Sequence, residues 1–285
     1  MLANYLIGLR EGLEAALIVA ILVAYLVKLD RRDILPRLWA GVGVAAAVSV
    51  IAALLLQFAS ESLSERAAEA FAGVMSLLAV GLITWMIFWM AKHARRLKAH
   101  LHGEVDKSLA GGTWALAIVA FLAVVREGLE TALFLWTGIT AVGAASAAVS
   151  GALLGLVTAV IIGFVVYRGM VRLNMSRLFT WTGAALVIVA AGILTYAVHE
   201  FQELGWLPGE DATAFDVSAT IAPDGFLGTV LRGAVNFRPV MNWVEVLAWL
   251  AYVIPTMYLY LRVVNRRTRP AVSAPAQEAV PSGQR

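Results

Sequence analysis

Two segments of the sequence carry the same charged motif. Residues 10–17 read REGLEAAL and residues 126–133 read REGLETAL, so seven of the eight positions are identical. On an α-helix the two glutamates of each motif, at positions i and i+3, lie about 60° apart, and the arginine four residues before the second glutamate lies on nearly the same face. Each motif can therefore direct two carboxylates and one guanidinium at one point. The candidate site residues are Arg10, Glu11, Glu14, Arg126, Glu127 and Glu130.

The two motifs together hold four carboxylates but only two guanidiniums. If the motifs served only to hold helices together through ion pairs, one acid for each base would suffice. The remaining formal charge of −2 predicts that the site binds a cation. Carboxylate oxygens select hard cations, so ferric, ferrous, manganous, magnesium and calcium ions fit better than copper(I). The alternative is a purely structural pairing of Arg10 with Glu14 and of Arg126 with Glu130.

The composition of the chain indicates where this site lies. Of the 285 residues, 61% are hydrophobic and 14% are charged, against roughly 45–50% and about 25% in soluble domains. This apolar excess excludes a soluble globular enzyme and predicts a protein embedded in a lipid bilayer. The absence of cysteine excludes disulfides, thiolate catalysis and cysteine-based metal sites. The net charge of +3 gives no reason to expect a nucleic-acid partner.

Apolar runs of at least about 18 residues predict an all-α polytopic fold with seven transmembrane helices. Both motifs fall near the centres of their spans, the first and the fourth, so their charges must face each other or water rather than lipid. Gly12 and Gly128, between the glutamates, allow two helices to approach closely. A basic and then disordered tail is predicted for residues 263–285. The spans lie near 2–27, 36–58, 67–91, 113–141, 145–167, 178–200 and 241–262.

Lysine and arginine are concentrated in alternate connections between the spans. With seven spans every basic connection lies on one side, which has a net charge of +12, and the opposite connections have a net charge of −6. Because basic loops stay in the cytoplasm, we expect the N-terminus outside, the C-terminus inside and insertion in the cytoplasmic (inner) membrane. His93, His100 and His102 belong to a basic cytoplasmic segment that is predicted to contact anionic lipid rather than metal.

The sequence also indicates an internal repeat. The charged motifs are 116 residues apart, and a weaker similarity relates GLITW at 81–85 to GILTY at 192–196, 111 residues later. These similarities pair span 1 with span 4 and span 3 with span 6, so a unit of three helices is duplicated and a seventh helix is added. An odd number of spans inverts the second copy, and transporters built this way bind substrate near the membrane midplane between the repeats.

Acidic residues just before span 3 form a second candidate feature on the outer side. Glu61, Glu65 and Glu69 recur every four residues and are expected to share one helical stripe before span 3. Such a stripe is typical either of a solvated helix face or of a surface that gathers cations.

The end of span 6 carries a second polar group, in the segment HEFQE. Its candidate residues, as helix-end caps or as an outer docking site for the cation, are His199, Glu200 and Glu203. A metalloprotease zinc site is excluded because Glu203 replaces the second histidine of H-E-x-x-H. Glu245, one turn into span 7, is expected to be an unpaired acid near the outer surface.

The paired R-E-G-L-E motifs, in the first and fourth of seven spans, resemble those of the fungal-type high-affinity iron permeases, a family of oxidase-dependent iron transporters that includes bacterial members. Both copies keep the R-E-x-x-E pattern intact. The resemblance implies that the six charged residues of the motifs translocate iron and that iron is the transported substrate, without a tightly bound cofactor. It also implies a separate extracytoplasmic partner that oxidises or donates iron.

Three other functions compete with an iron permease. A transporter for manganese or lead would use the same oxygen ligands. A carboxylate-bridged di-iron enzyme normally takes Glu-x-x-His from two helices, whereas both motifs here are Glu-x-x-Glu. A seven-helix receptor has no use for an inverted repeat with carboxylates at mid-membrane. The sequence therefore predicts a permease and not an enzyme.

Overall fold

The computed structural model describes residues 1–93, 114–142, 145–168, 175–221, 231 and 238–265. Seven long α-helices lie in these ranges, and their ends differ from the predicted spans by up to four residues. A short 3₁₀-helix precedes the second helix, and two short strands, β1 (Thr213–Asp216) and β2 (Val240–Asn242), pair antiparallel before the last helix. The helices are α1 (Leu2–Lys28), α2 (Leu35–Ser62), α3 (Glu65–His93), α4 (Ala115–Val142), α5 (Ala145–Tyr167), α6 (Met175–Glu203) and α7 (Trp243–Asn265).

The helices have the length and surface expected for a bilayer. Five of them, α2, α3, α5, α6 and α7, carry apolar stretches long enough to cross a membrane. The other two, α1 and α4, are equally long but carry the three charges of a motif near their centres. Large apolar side chains cover the outer faces, for example Leu54 and Phe58 on α2 and Ile161 on α5. The prediction of a helical, multi-pass membrane protein is therefore confirmed, whereas the small sheet was not predicted.

The packing of the first six helices has a two-fold pattern. The principal contacts join α1 to α5, α2 to α4 and α3 to α6, and α1 also meets α4. Exchanging α1, α2 and α3 for α4, α5 and α6 turns the α1–α5 contact into the α4–α2 contact. The same exchange leaves the α3–α6 and α1–α4 contacts unchanged. This is the pattern that a duplicated three-helix unit would produce. The seventh helix packs outside it, against α6 and α3.

The motif glycines lie at two equivalent interfaces of this pattern. A Cβ on Gly12 of α1 would stand 2.9 Å from both Ala159 Cβ and Leu156 Cδ1 of α5, and one on Gly128 of α4 would collide with Ser49 of α2. Glycine at both positions lets each motif helix lie directly against its neighbour, which fixes the rotation of the charged face.

Apolar layers close the space on both sides of the motifs. Ile7, one turn before the first motif, and Phe134, one turn after the second, are both buried in the largest core cluster, formed mainly by α3 and α6. On the opposite side Leu17 packs with Met90 and Phe179 in a smaller cluster. The charged residues are thus held between two hydrophobic layers.

Two predicted segments lie partly or wholly outside the described residues. The basic segment with His100 and His102 is not described, and neither is the side chain of His93, where α3 ends. The tail predicted for 263–285 is not described beyond residue 265. Residues 263–265 belong to α7, so the last helix continues further than expected.

Candidate metal site between the two motifs

Three of the four motif glutamates converge where α1 meets α4. One carboxylate oxygen each from Glu11, Glu127 and Glu130 lies within 4.8 Å of the others. All three residues are buried. Four oxygens of this group, both of Glu11 and Oε2 of the other two, have no hydrogen-bond partner. Buried carboxylate oxygens with free lone pairs are suited to ligate a hard cation.

The fourth motif glutamate, Glu14, does not join this group. Its Oε1 accepts a hydrogen bond from Arg10 Nε over 3.2 Å, and both side chains are buried. The structure thus separates the predicted ligands into three converging carboxylates and one carboxylate that is paired with an arginine of its own helix.

Arg126 takes a different position from Arg10, although both begin their motifs. Its Nη2 lies 3.0 Å from Glu127 Oε1 and its Nε lies 3.5 Å from Glu130 Oε1. The guanidinium also lies over the ring of Trp89, 5.4 Å from the centroid. Sequence reasoning did not identify this tryptophan, because nothing in its spacing marks it as part of the site.

The ion pairs of the purely structural alternative, Arg10 with Glu14 and Arg126 with Glu130, are present, but they do not account for Glu11. Within the described part of the chain, Glu11 forms no ion pair, while each arginine contacts at least one glutamate of its own motif. Ion pairing alone therefore does not explain why Glu11 is buried beside two other carboxylates. A cation ligated by the three groups would explain it.

The outer acidic residues do not form one stripe. Glu61 belongs to the last turn of α2, where it accepts a hydrogen bond from Gln57, whereas Glu65 begins α3. The prediction of a common helical face for Glu61, Glu65 and Glu69 is wrong, because extended backbone at Leu63 breaks the helix between them.

Glu65 and Glu69 instead face the end of α6. They line an open cavity of about 390 Å³ together with Arg66, Glu203, Leu204 and Gly205. This cavity, here called the outer cavity, lies between the beginning of α3 and Glu203, one of the three residues predicted at the end of span 6.

The other two residues of that group have different neighbours. Glu200 is buried and hydrogen-bonds Tyr196, which in turn hydrogen-bonds Thr140 of α4. His199 lies with Nε2 3.0 Å from Glu203 Oε1 and with Nδ1 3.2 Å from Glu245 Oε1. The sequence analysis missed Tyr196 and Thr140, although Tyr196 ends the GILTY similarity.

Glu245 is buried and fully engaged, so its interpretation as an unpaired surface acid is wrong. Its Oε1 accepts a hydrogen bond from Arg238 Nη1 over 3.3 Å. Its Oε2 accepts one from the backbone N–H of Asn242 over 3.0 Å, and its own N–H donates to Asn242 Oδ1 over 2.9 Å. This reciprocal arrangement is a capping box at the start of α7, and the sequence N-W-V-E contains its signal.

Comparison with known proteins places the chain in one family. The family described as "Iron permease FTR1 family" matches residues 1–266. Ferrous iron permease EfeU of Escherichia coli O6:H1 is 37% identical over 265 residues, which cover 92% of this chain and 95% of the relative. Ferrous iron permease EfeU of Yersinia pestis is 34% identical over 278 residues, which cover 96% and 98%. No solved structure matches the chain. The resemblance seen in the motifs is confirmed, and the chain belongs to the iron permease FTR1 family.

Proposed function

We propose that this protein imports iron across the cytoplasmic membrane and that Glu11, Glu127 and Glu130 ligate the ion in transit. The observation that carries the proposal is the convergence of their buried carboxylates within 4.8 Å, with four oxygens free to bind. Membership of the family supports iron as the ion. The names of the relatives support the ferrous form, which is the substrate we assign.

The arginines compensate the carboxylates when no ion is bound. Arg10 holds Glu14 beside the three ligands, and we infer that Glu14 becomes a fourth ligand when the ion passes. The membrane potential favours import of a divalent ion by about 4.6 kcal/mol per 100 mV. No covalent bond is made or broken in this process, so the protein acts as a permease and not as an enzyme.

The outer cavity is the proposed entrance. Its three carboxylates, from Glu65, Glu69 and Glu203, would raise the local concentration of cations. Glu200, which is buried beside the half-buried Tyr196, lies on the same helix one turn before Glu203 and is the next oxygen ligand inward. His199 is assigned a structural role because it is held by Glu203 and Glu245. A separate protein that donates iron would dock on this face, whereas a partner that oxidises iron would deliver Fe³⁺ and does not fit a ferrous substrate.

Selective uptake tests this function. Purified protein in liposomes, with a potential negative inside, should accumulate Fe²⁺ kept reduced by ascorbate, and should do so faster than it accumulates Fe³⁺ chelates. Excess Mn²⁺ or Pb²⁺ should compete weakly. If Mn²⁺ or Pb²⁺ is transported faster than Fe²⁺, the protein is a permease for that ion instead.

A further inference from the structure

The two motif arginines occupy the same position in the repeat but differ in burial. The Arg10 side chain is 1% exposed, whereas that of Arg126 is 41% exposed. Arg10 contacts Glu14, which lies outside the converging group, while Arg126 contacts Glu127 and Glu130, which lie within it. Only Arg126 therefore shares ligands with an ion bound between the three carboxylates.

A cation at this site and the Arg126 guanidinium would share two carboxylates, because Arg126 contacts Oε1 of Glu127 and Glu130 and the ion would take their free Oε2 atoms. Two positive groups on two carboxylates repel each other strongly where the dielectric constant is low. This repulsion favours a shift of the guanidinium away from Glu127 and Glu130 when the ion binds. Because 41% of the Arg126 side chain is exposed, it has room to move.

Trp89 provides a place for the displaced charge. Its ring already lies under the guanidinium at 5.4 Å, within the range of a cation–π interaction. The ring packs on the cluster of Leu17, Met90 and Phe179, which fixes its position. With the 111-residue offset of the repeat, the position equivalent to Trp89 is Glu200. Of the two motif arginines, only the second lies over an aromatic ring within the described part of the chain.

We propose that Trp89 is a positioning residue that holds the Arg126 guanidinium when iron takes Glu127 and Glu130. This inference rests on the proposed function. Without the ring, the guanidinium returns to the carboxylates and competes with the ion. Trp89 would therefore raise the affinity of the site for iron without contacting the ion.

The test is equilibrium binding of Fe²⁺ to the purified full-length protein under anaerobic conditions. Trp89→Leu should weaken binding by about 3- to 30-fold, the range of a cation–π contact. Trp89→Phe keeps an aromatic face and should recover most of the affinity. The control is Trp39→Leu, because Trp39 lies on α2, is 55% exposed and should leave binding unchanged.

A double-mutant cycle separates positioning from a general packing effect. In the Arg126→Gln background, Trp89→Leu should change iron affinity less than twofold. An equal loss in both backgrounds, or no loss in the wild-type background, would overturn the proposal. Binding of Fe²⁺ by the wild-type protein is measured in the same experiment and tests the proposed function separately.

Discussion

Glu11 and Glu127 occupy the same position in the two motifs and place their carboxylates together although 116 residues separate them in the chain. Their meeting point lies where α1 contacts α4, one of the two helix pairs that the two-fold pattern maps onto themselves. The third member of the group, Glu130, breaks this symmetry, because its counterpart Glu14 is paired with Arg10. The site is therefore built by the repeat but is not itself symmetric.

The orientation of the chain predicts which added cysteines react from outside. The protein has no cysteine of its own, so single cysteines can be placed without background labelling. Ala219→Cys, in the exposed turn after β1, should react with a membrane-impermeant maleimide on intact spheroplasts, and Asp33→Cys should react only after lysis. The reverse pattern of labelling would contradict the outside position of the N-terminus.

The outer cavity predicts an effect on iron capture rather than on passage. Replacing Glu65, Glu69 and Glu203 together by Gln should raise the apparent Michaelis constant for iron several-fold and leave maximal uptake nearly unchanged. The reason is that these charges, which line the open cavity, attract the cation before it enters, so the effect should shrink at high salt. Glu61→Gln is the matched control, because Glu61 lies on α2 and does not line the cavity. Loss of maximal uptake in the triple variant would place these residues in the permeation path.

The motif glycines predict a steric effect on stability. Gly12→Val and Gly128→Val should each destabilise the protein by about 1–3 kcal/mol, because the added carbons meet α5 and α2. Gly81→Val is the control, since a Cβ at Gly81 has no neighbouring atom within 4 Å. Thermal unfolding in detergent measures the difference. Equal melting temperatures for Gly12→Val and Gly81→Val would show that α1 and α5 do not pack as described.

The sequence predicts the helices well because each apolar run must satisfy its backbone hydrogen bonds internally in lipid. It predicts the motif residues because six charges at mid-membrane have no other place than a common site. It does not predict that Glu14 stays apart from the other glutamates, since the rotation of α1 depends on its contact with α5 at Gly12. The break at Leu63 carries no glycine or proline, so Glu61 was assigned to the wrong helix.

Glu245 was predicted to be unpaired for a different reason. The N-W-V-E pattern at residues 242–245 is a readable capping signal, but the contacts with His199 and Arg238 join segments that are distant in sequence. The contact of Trp89 with Arg126 was not predicted for the same reason, because it depends on how α3 packs against α4. Such long-range side-chain contacts require the structure.

The central claim, that the converging carboxylates bind the transported ion, is tested most directly by Glu11→Gln. Glu11 forms no ion pair among the described residues, so neutralising it breaks no arginine contact and separates ion binding from helix pairing. The measurement is the initial rate of Fe²⁺ uptake into liposomes that contain equal amounts of inserted protein, with Glu61→Gln as the control. A charged ligand contributes about 1.5–3 kcal/mol, so Glu11→Gln should reduce uptake at low iron by about 10- to 100-fold with an unchanged melting temperature. Uptake by Glu11→Gln at the rate of the control would contradict the assignment and favour a purely structural role for the motifs.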